Sequence, residues 1–227
     1  KLVYCSITGF GQDGPYAARP GYDFMIQGMS GIMDLTGAPD GEPQKVGVAF
    51  ADIFAGLYSV IAIQAALAQR GENGRGQHID MALFDCMLGV LANQGLNYLS
   101  SGESPTRMGN RHPNIAPYEA LPVADGWFIL AVGNDRQFAA FAGCIDLPGL
   151  ATDVRFRRNS DRIANRAELV SLLEPVLGTQ TTAHWRTHSR AMSERYTVIT
   201  YDARGQGQTP PGDEPLTLEL HAADLRD

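Results

Sequence analysis

The chain has 227 residues, of which 44% are hydrophobic and 19% charged; that balance excludes a disordered or fibrous polymer and allows one large domain or two small ones. A formal net charge of −7 excludes a general pull toward nucleic acid or anionic lipid, so neither a nucleic-acid nor a membrane partner is expected. Cys5, Cys86 and Cys144 are widely separated and form no disulfide framework or zinc spacing, so no metal is expected, and with no leader readable at Lys1 the expected location is cytoplasmic.

In chain order, Leu2 to Ile7 reads as a strand, followed by a loop punctuated by Gly9, Gly11, Gly14, Pro15, Pro20 and Gly21. Asp23 to Leu35 reads as a helix weakened by Gly28 and Gly31. From Val46 to Leu67 the chain is almost all apolar, yet Asp52 lies inside it. This is the strongest helix of the chain, expected to begin with Asp52 at its N-cap and to stop at Gly71, with Arg70 at the negative end of the dipole. Its apolar run, Ile53 to Ala68, is broken by Ser59 and Gln64 and is shorter than the ~20 residues that cross a bilayer, so a buried core helix is expected.

Gly74 to Gln77 lacks the Lys-Ser/Thr of a phosphate loop and reads as a tight turn. A strand around His78 to Met81 and a second helix from Leu83 to Leu99 follow. Ser101 to Tyr118 carries three prolines and two glycines and marks a domain boundary. Beyond it, two strands meet at an Asp125-Gly126 turn, a helix runs from Asp135 to Cys144, and a second places Leu169, Leu172, Leu173 and Val176 at helical spacing, together a small α+β unit. After Trp185 the character changes to a strand, Tyr196 to Tyr201, a glycine turn and a terminal amphipathic helix. The expected domains are therefore 1–100, 101–185 and 186–227.

Asp52 has two readings that do not exclude each other. An aspartate caps a helix N-terminus with ~0.5–2 kcal/mol relative to alanine. The oriented N–H groups and positive dipole end there also keep a carboxylate ionised and able to attack a carbonyl, and an apolar wall would keep it dry.

Five blocks, "YDFMIQGMSGIMDLTG", "VGVAFADIFAGLYSVIAIQAALAQR", "GRGQHIDMALFD", "GNRHPNIAPYEALPVADGWFILAVGND" and "TTAHW", occur in this order. Together they resemble the class III coenzyme A transferases, the family of formyl-CoA and carnitine CoA transferases, over Lys1 to Trp185. The resemblance implies an α/β architecture, here an incomplete one: part of a Rossmann-like large domain plus the small α+β domain. It implies a homodimer for the longer parent, no tightly bound cofactor, and an acyl-CoA and a carboxylic acid as substrates. On this likeness Asp52 matches the nucleophile, which passes through an aspartyl anhydride and an aspartyl-CoA thioester. The truncated chain is expected to be inactive, with a bare apolar face where strands are missing.

Tyr22 aligns with a tyrosine that contacts CoA in some transferases, thirty positions before the nucleophile; it reads equally as a loop aromatic packed on the core. Asp23 and Gln27 fall in the same block as candidate CoA-site residues, and Gly109 and Asn110 match a loop that covers the family's active site. His112, in that loop, is kept out of the mechanism. Related acyl-CoA racemases carry histidine where this chain has Tyr22, which disfavours α-proton exchange here because that chemistry needs a second acid/base group. A non-catalytic chimeric fragment is the third reading. "RYTVITYDARGQGQT" resembles the α/β-hydrolases through Asp202, Arg204, Gly205, Gly207 and Thr209, without the G-x-S-x-G that triad chemistry needs.

Overall fold

Two five-residue strands, β1 (Tyr4–Thr8) and β2 (His78–Ala82), pair in parallel, with Tyr4 opposite His78 and Thr8 opposite Ala82. Parallel neighbours cannot be joined by a tight turn. Residues 9–77 make the crossover and contain α1 (Asp23–Met29), α2 (Ile32–Leu35) and α3 (Phe50–Asn73); α4 (Leu83–Val90) and α5 (Ala92–Ser101) follow β2. The computed structural model describes residues 1–181, 183 and 184, and the expected strand, turn and helix of the 186–227 tail lie outside them.

Three helix boundaries differ from the sequence reading, each for a backbone reason. The helix expected over Asp23 to Leu35 breaks in two at Gly31, whose φ of 86° is left-handed. The helix expected over Leu83 to Leu99 breaks near Ala92, which adopts φ 46°. Helix α3 runs past Gly71 and ends where Gly74 turns left-handed at φ 67° and donates its N–H to the Arg70 carbonyl at 2.9 Å.

Ile26 of α1, Ala51 and Ala55 of α3, and Leu83, Cys86 and Met87 of α4 form the core of the first unit. Ala51 and Ala55 lie one turn apart, so α3 presents a shallow surface against which larger side chains pack. The expectation of a buried core helix is corrected: only Ala51, Ala55, Ser59 and Ala66 are buried, while Ile53, Leu57, Val60 and Ile61 are 47–64% exposed. By length and composition alone α3 would suffice to cross a bilayer. Leu2 just before β1, and Tyr4 and Ile7 on it, are exposed as well, although parallel sheets are ordinarily covered on both faces.

The chain divides into compact units at Glu119/Ala120, later than the boundary read at 100/101. Residues following α5 stay with the first unit because they are bonded to it: Gly109 N–H donates to the Gly37 carbonyl at 3.1 Å, Arg107 pairs with Asp34, and Asn97 pairs with Asn114.

β3 (Tyr118–Val123), all but its first two residues in the second unit, and β4 (Gly126–Ala131) form a two-stranded sheet. Their two-residue connection, Ala124-Asp125, permits only an antiparallel hairpin. Leu121, Val123 and Leu130 meet Phe138 and Phe141 of α6 (Asp135–Cys144), Phe156, and Leu169, Leu173 and Leu177 of α8 (Arg166–Leu177). Leu172, expected inward, is 39% exposed, because the buried stripe advances through 169, 173 and 177. Arg162 of α7 (Asn159–Ala164) is fully buried: its guanidinium donates to the Phe156 carbonyl at 2.9 Å and to Asp135 at 2.8 Å, and lies 4.4 Å from the Phe138 ring centre.

Candidate active site

Gly9 follows β1, and Gly21 immediately precedes the first candidate residue. A Cβ on Gly21 would fall 2.2 Å from the Gly9 Cα, closer than any side chain tolerates. The Gly9 carbonyl also accepts the Phe84 N–H at the start of α4, at 3.0 Å. This crossing of two glycines seats the start of α1 at the carboxyl end of β1, the end of a parallel sheet at which ligands collect in α/β folds.

Tyr22 takes the extended N-cap position of α1 and is 73% exposed, so its ring is not packed on the core. Asp23 and Gln27, one turn later on the same helix, bond to each other, Gln27 Nε2 donating to Asp23 Oδ2 at 2.8 Å. Gln27 Oε1 accepts the Val46 N–H at 2.9 Å, and its Nε2 also reaches the Val48 carbonyl at 3.3 Å. Gln27 is 0% exposed, and its side chain is spent on Asp23 and on the segment entering α3.

Asp52 is not the N-cap. Ala49 holds that position, with no capping side chain of its own, and Asp52 is the third residue of the helix. The capping bond comes from another element, Asp23 Oδ1 accepting the Ala51 N–H at 2.8 Å. Asp52 is exposed, and among the described residues no hydrogen bond or ion pair engages its carboxylate. The dry apolar wall expected around it is thus not present in this chain, because Asp52 stands beside, not on, the buried stripe of Ala51, Ala55 and Ser59.

Gly109 adopts φ 62° and is tied to Gly37 in the loop after α2, while Asn110 is exposed. Further along, Asn97 and Asn114 exchange amide hydrogen bonds at 3.2 and 3.0 Å, and Asn93 adds a third at 3.1 Å, pinning this loop to α5. His112 Nδ1 accepts the Asn114 N–H at 3.1 Å, and its ring lies 5.2 Å from that of Tyr118. The fold therefore joins Asp23 and Gln27 to the first turn of α3. It ties Gly109 to Gly37 in the loop after α2 and Asn114 to α5, with no hydrogen bond to Asp52 among the described residues. Sequence reasoning missed the Asn97–Asn114 pair, seventeen positions apart; only the i, i+4 spacing of Asp23 and Gln27 was a visible signal for their contact. Among the described residues no cluster of ligands could hold a metal.

A family model described as "CoA-transferase family III" matches residues 1–198. The chain belongs to CoA-transferase family III. The family III match passes the boundary read at Trp185 and lends no support to an α/β-hydrolase piece beginning there. Among relatives, the succinate–glutarate CoA-transferase of Agrobacterium fabrum is 57% identical over 173 residues, 76% of this chain and 43% of that protein. The acetyl-CoA:oxalate CoA-transferase of Acetobacter aceti is 43% identical over 186 residues, 82% of this chain and 48% of that protein. In three dimensions the chain matches a CAIB/BAIF family protein from Brucella suis with a TM-score of 0.68 and 63% identity, covering 84% of this chain and 50% of that one. This family III chain spans about half the length of the relatives it matches.

Proposed function

We propose that the protein carrying this chain moves coenzyme A between an acyl-CoA thioester and a carboxylic acid, with Asp52 as the covalent nucleophile. The observation that carries the reading is the division of labour at the start of α3. Asp23 does the capping, so the neighbouring carboxylate of Asp52 is left uncommitted in a first helical turn, where the dipole favours negative charge. Relatives named for succinate, glutarate and oxalate support a small dicarboxylic acid as acceptor.

In the proposed cycle an Asp52 oxygen attacks the thioester carbonyl, the C–S bond breaks, and an aspartyl–acyl anhydride and CoA thiolate result. The thiolate attacks the aspartyl carbonyl, releasing the donor acid as its carboxylate and leaving aspartyl-CoA. The acceptor carboxylate attacks that thioester, expelling thiolate and forming a second anhydride. Thiolate then attacks the acceptor's acyl carbonyl, giving the new acyl-CoA and restoring Asp52. No water enters, and an anhydride retains the acyl activation that hydrolysis would lose. Exclusion of water is assigned to the remaining half of the parent protein, for which the bare apolar residues of α3 and β1 provide a seat.

The test is trapping. The chain is assayed alone and as a chimera in which it replaces the matching 173 residues of the Agrobacterium relative. Succinyl-CoA with hydroxylamine should convert Asp52 to its hydroxamate in the folded chimera, and Asp52→Asn should abolish both trapping and CoA transfer. A folded chimera that transfers CoA without a hydroxamate at Asp52, or that exchanges the α-proton and transfers nothing, would overturn the proposal.

A further inference from the structure

Two groups from the segment leading into α3 and one from its first turn converge on one pair of side chains in α1. The Val46 N–H can only donate and the Val48 carbonyl can only accept, which fixes Gln27 with Oε1 toward Val46 and Nε2 toward Val48. Gln27 must then present its NH₂ group to residue 23. From the other side residue 23 meets the Ala51 N–H, a second donor. Two donors facing one short side chain require an acceptor at each end, and only a carboxylate supplies both. An asparagine would satisfy one and turn its own NH₂ against the other.

The clamp spans Val46, Val48 and Ala51, the last of these adjacent to Asp52. It closes over a packed contact, since Ile26 and Ala51 are both 0% exposed. Ala51, the neighbour of Asp52, is therefore held on the buried side of the turn, while the Asp52 carboxylate stays free on the exposed side.

We infer that Asp23 and Gln27 are positioning residues for Asp52: they fix the first turn of α3 so that the carboxylate meets the thioester carbonyl at a constant angle, and they make no contact with substrate. The inference rests on Asp52 being the nucleophile. Misplacement of a reacting group by about 1 Å costs about a hundredfold in rate. Loosening the clamp should therefore lower the rate of the covalent step and leave acyl-CoA binding nearly unchanged.

The experiment compares Asp23→Asn, Asp23→Ala, Gln27→Ala and Asp52→Asn in the chimera, and follows amide exchange at Ala51 in the chain itself. Asp23→Asn should lower kcat by about tenfold to a hundredfold with KM for succinyl-CoA within about threefold, and hydroxamate formation at Asp52 should slow in parallel. Ala51 should exchange faster in both Asp23 variants. Asp23→Asn keeps the size of the side chain, so it remains informative if Asp23→Ala fails to fold. Loss of activity in Asp52→Asn with unchanged kcat in Asp23→Asn and Gln27→Ala would overturn this inference alone, as would a change confined to KM, which would make Asp23 a substrate contact. Turnover surviving in Asp52→Asn would sink the nucleophile reading itself.

Discussion

Gly21 and Gly9 cross with their backbones so close that a Cβ on Gly21 would lie 2.2 Å from the Gly9 Cα, and one on Gly9 would lie 2.4 Å from the Gly21 Cα. Both neighbours are backbone, so nothing flexible can give way. Gly21→Ala should destabilise the first unit by about 1–3 kcal/mol, read as a lower urea midpoint. Gly56, in the interior of α3 with nothing within 4 Å of an added Cβ, is the contrast: Gly56→Ala should stabilise by up to ~1 kcal/mol. Equal midpoints for the two variants would contradict the crossing.

Arg162 anchors the second unit from inside. Its truncation to alanine removes donors from the Phe156 carbonyl and from Asp135 and empties space beside Phe138, with an expected cost of ~3 kcal/mol. Asp135 is 55% exposed, so Asp135→Asn should cost far less, within ~1 kcal/mol. Urea titrations of the two variants check the ordering.

Hydrogen bonds from the Arg155 side chain and backbone hold the Asp153 carboxyl down at about 2. The folded value lies below the ~3.9 of an unfolded aspartate, so the stabilisation is present above pH ~4 and is lost as pH falls toward 2. A carbon-detected NMR titration should find Asp153 ionised well below pH 4, and Arg155→Ala should return it toward ~4. Native Asp153 titrating with the ordinary carboxylates would refute the assignment.

Burial in the first core, reinforced by the neighbouring Asp85 charge, raises the Cys86 thiol above its ordinary range. Because only the thiolate reacts, iodoacetamide at pH 8 should label Cys86 more slowly than Cys5 and Cys144, which are partly exposed. In denaturant the three rates should converge. Faster native labelling of Cys86 would mean that the contact of α1, α3 and α4 opens readily.

Periodicity and turn chemistry were enough to place the local elements of this chain. The β1 and β2 strands, the β3–β4 hairpin, whose turn lies at Ala124-Asp125, one residue before the expected Asp125-Gly126, and the span of α6 were legible, because each depends on neighbours in sequence. The block resemblance likewise pointed to the CoA-transferase family that matches residues 1–198. Tertiary structure alone decided who caps α3. Aspartate suits an N-cap, so the sequence favoured Asp52 for that role, yet the bond to Ala51 comes from Asp23, twenty-eight positions earlier. It also decided that Gln27 lies fully inside and that α3 buries only a narrow stripe. Hydrophobicity records what a residue would gain by burial, whereas which surface is covered depends on which other segments are present to pack against it.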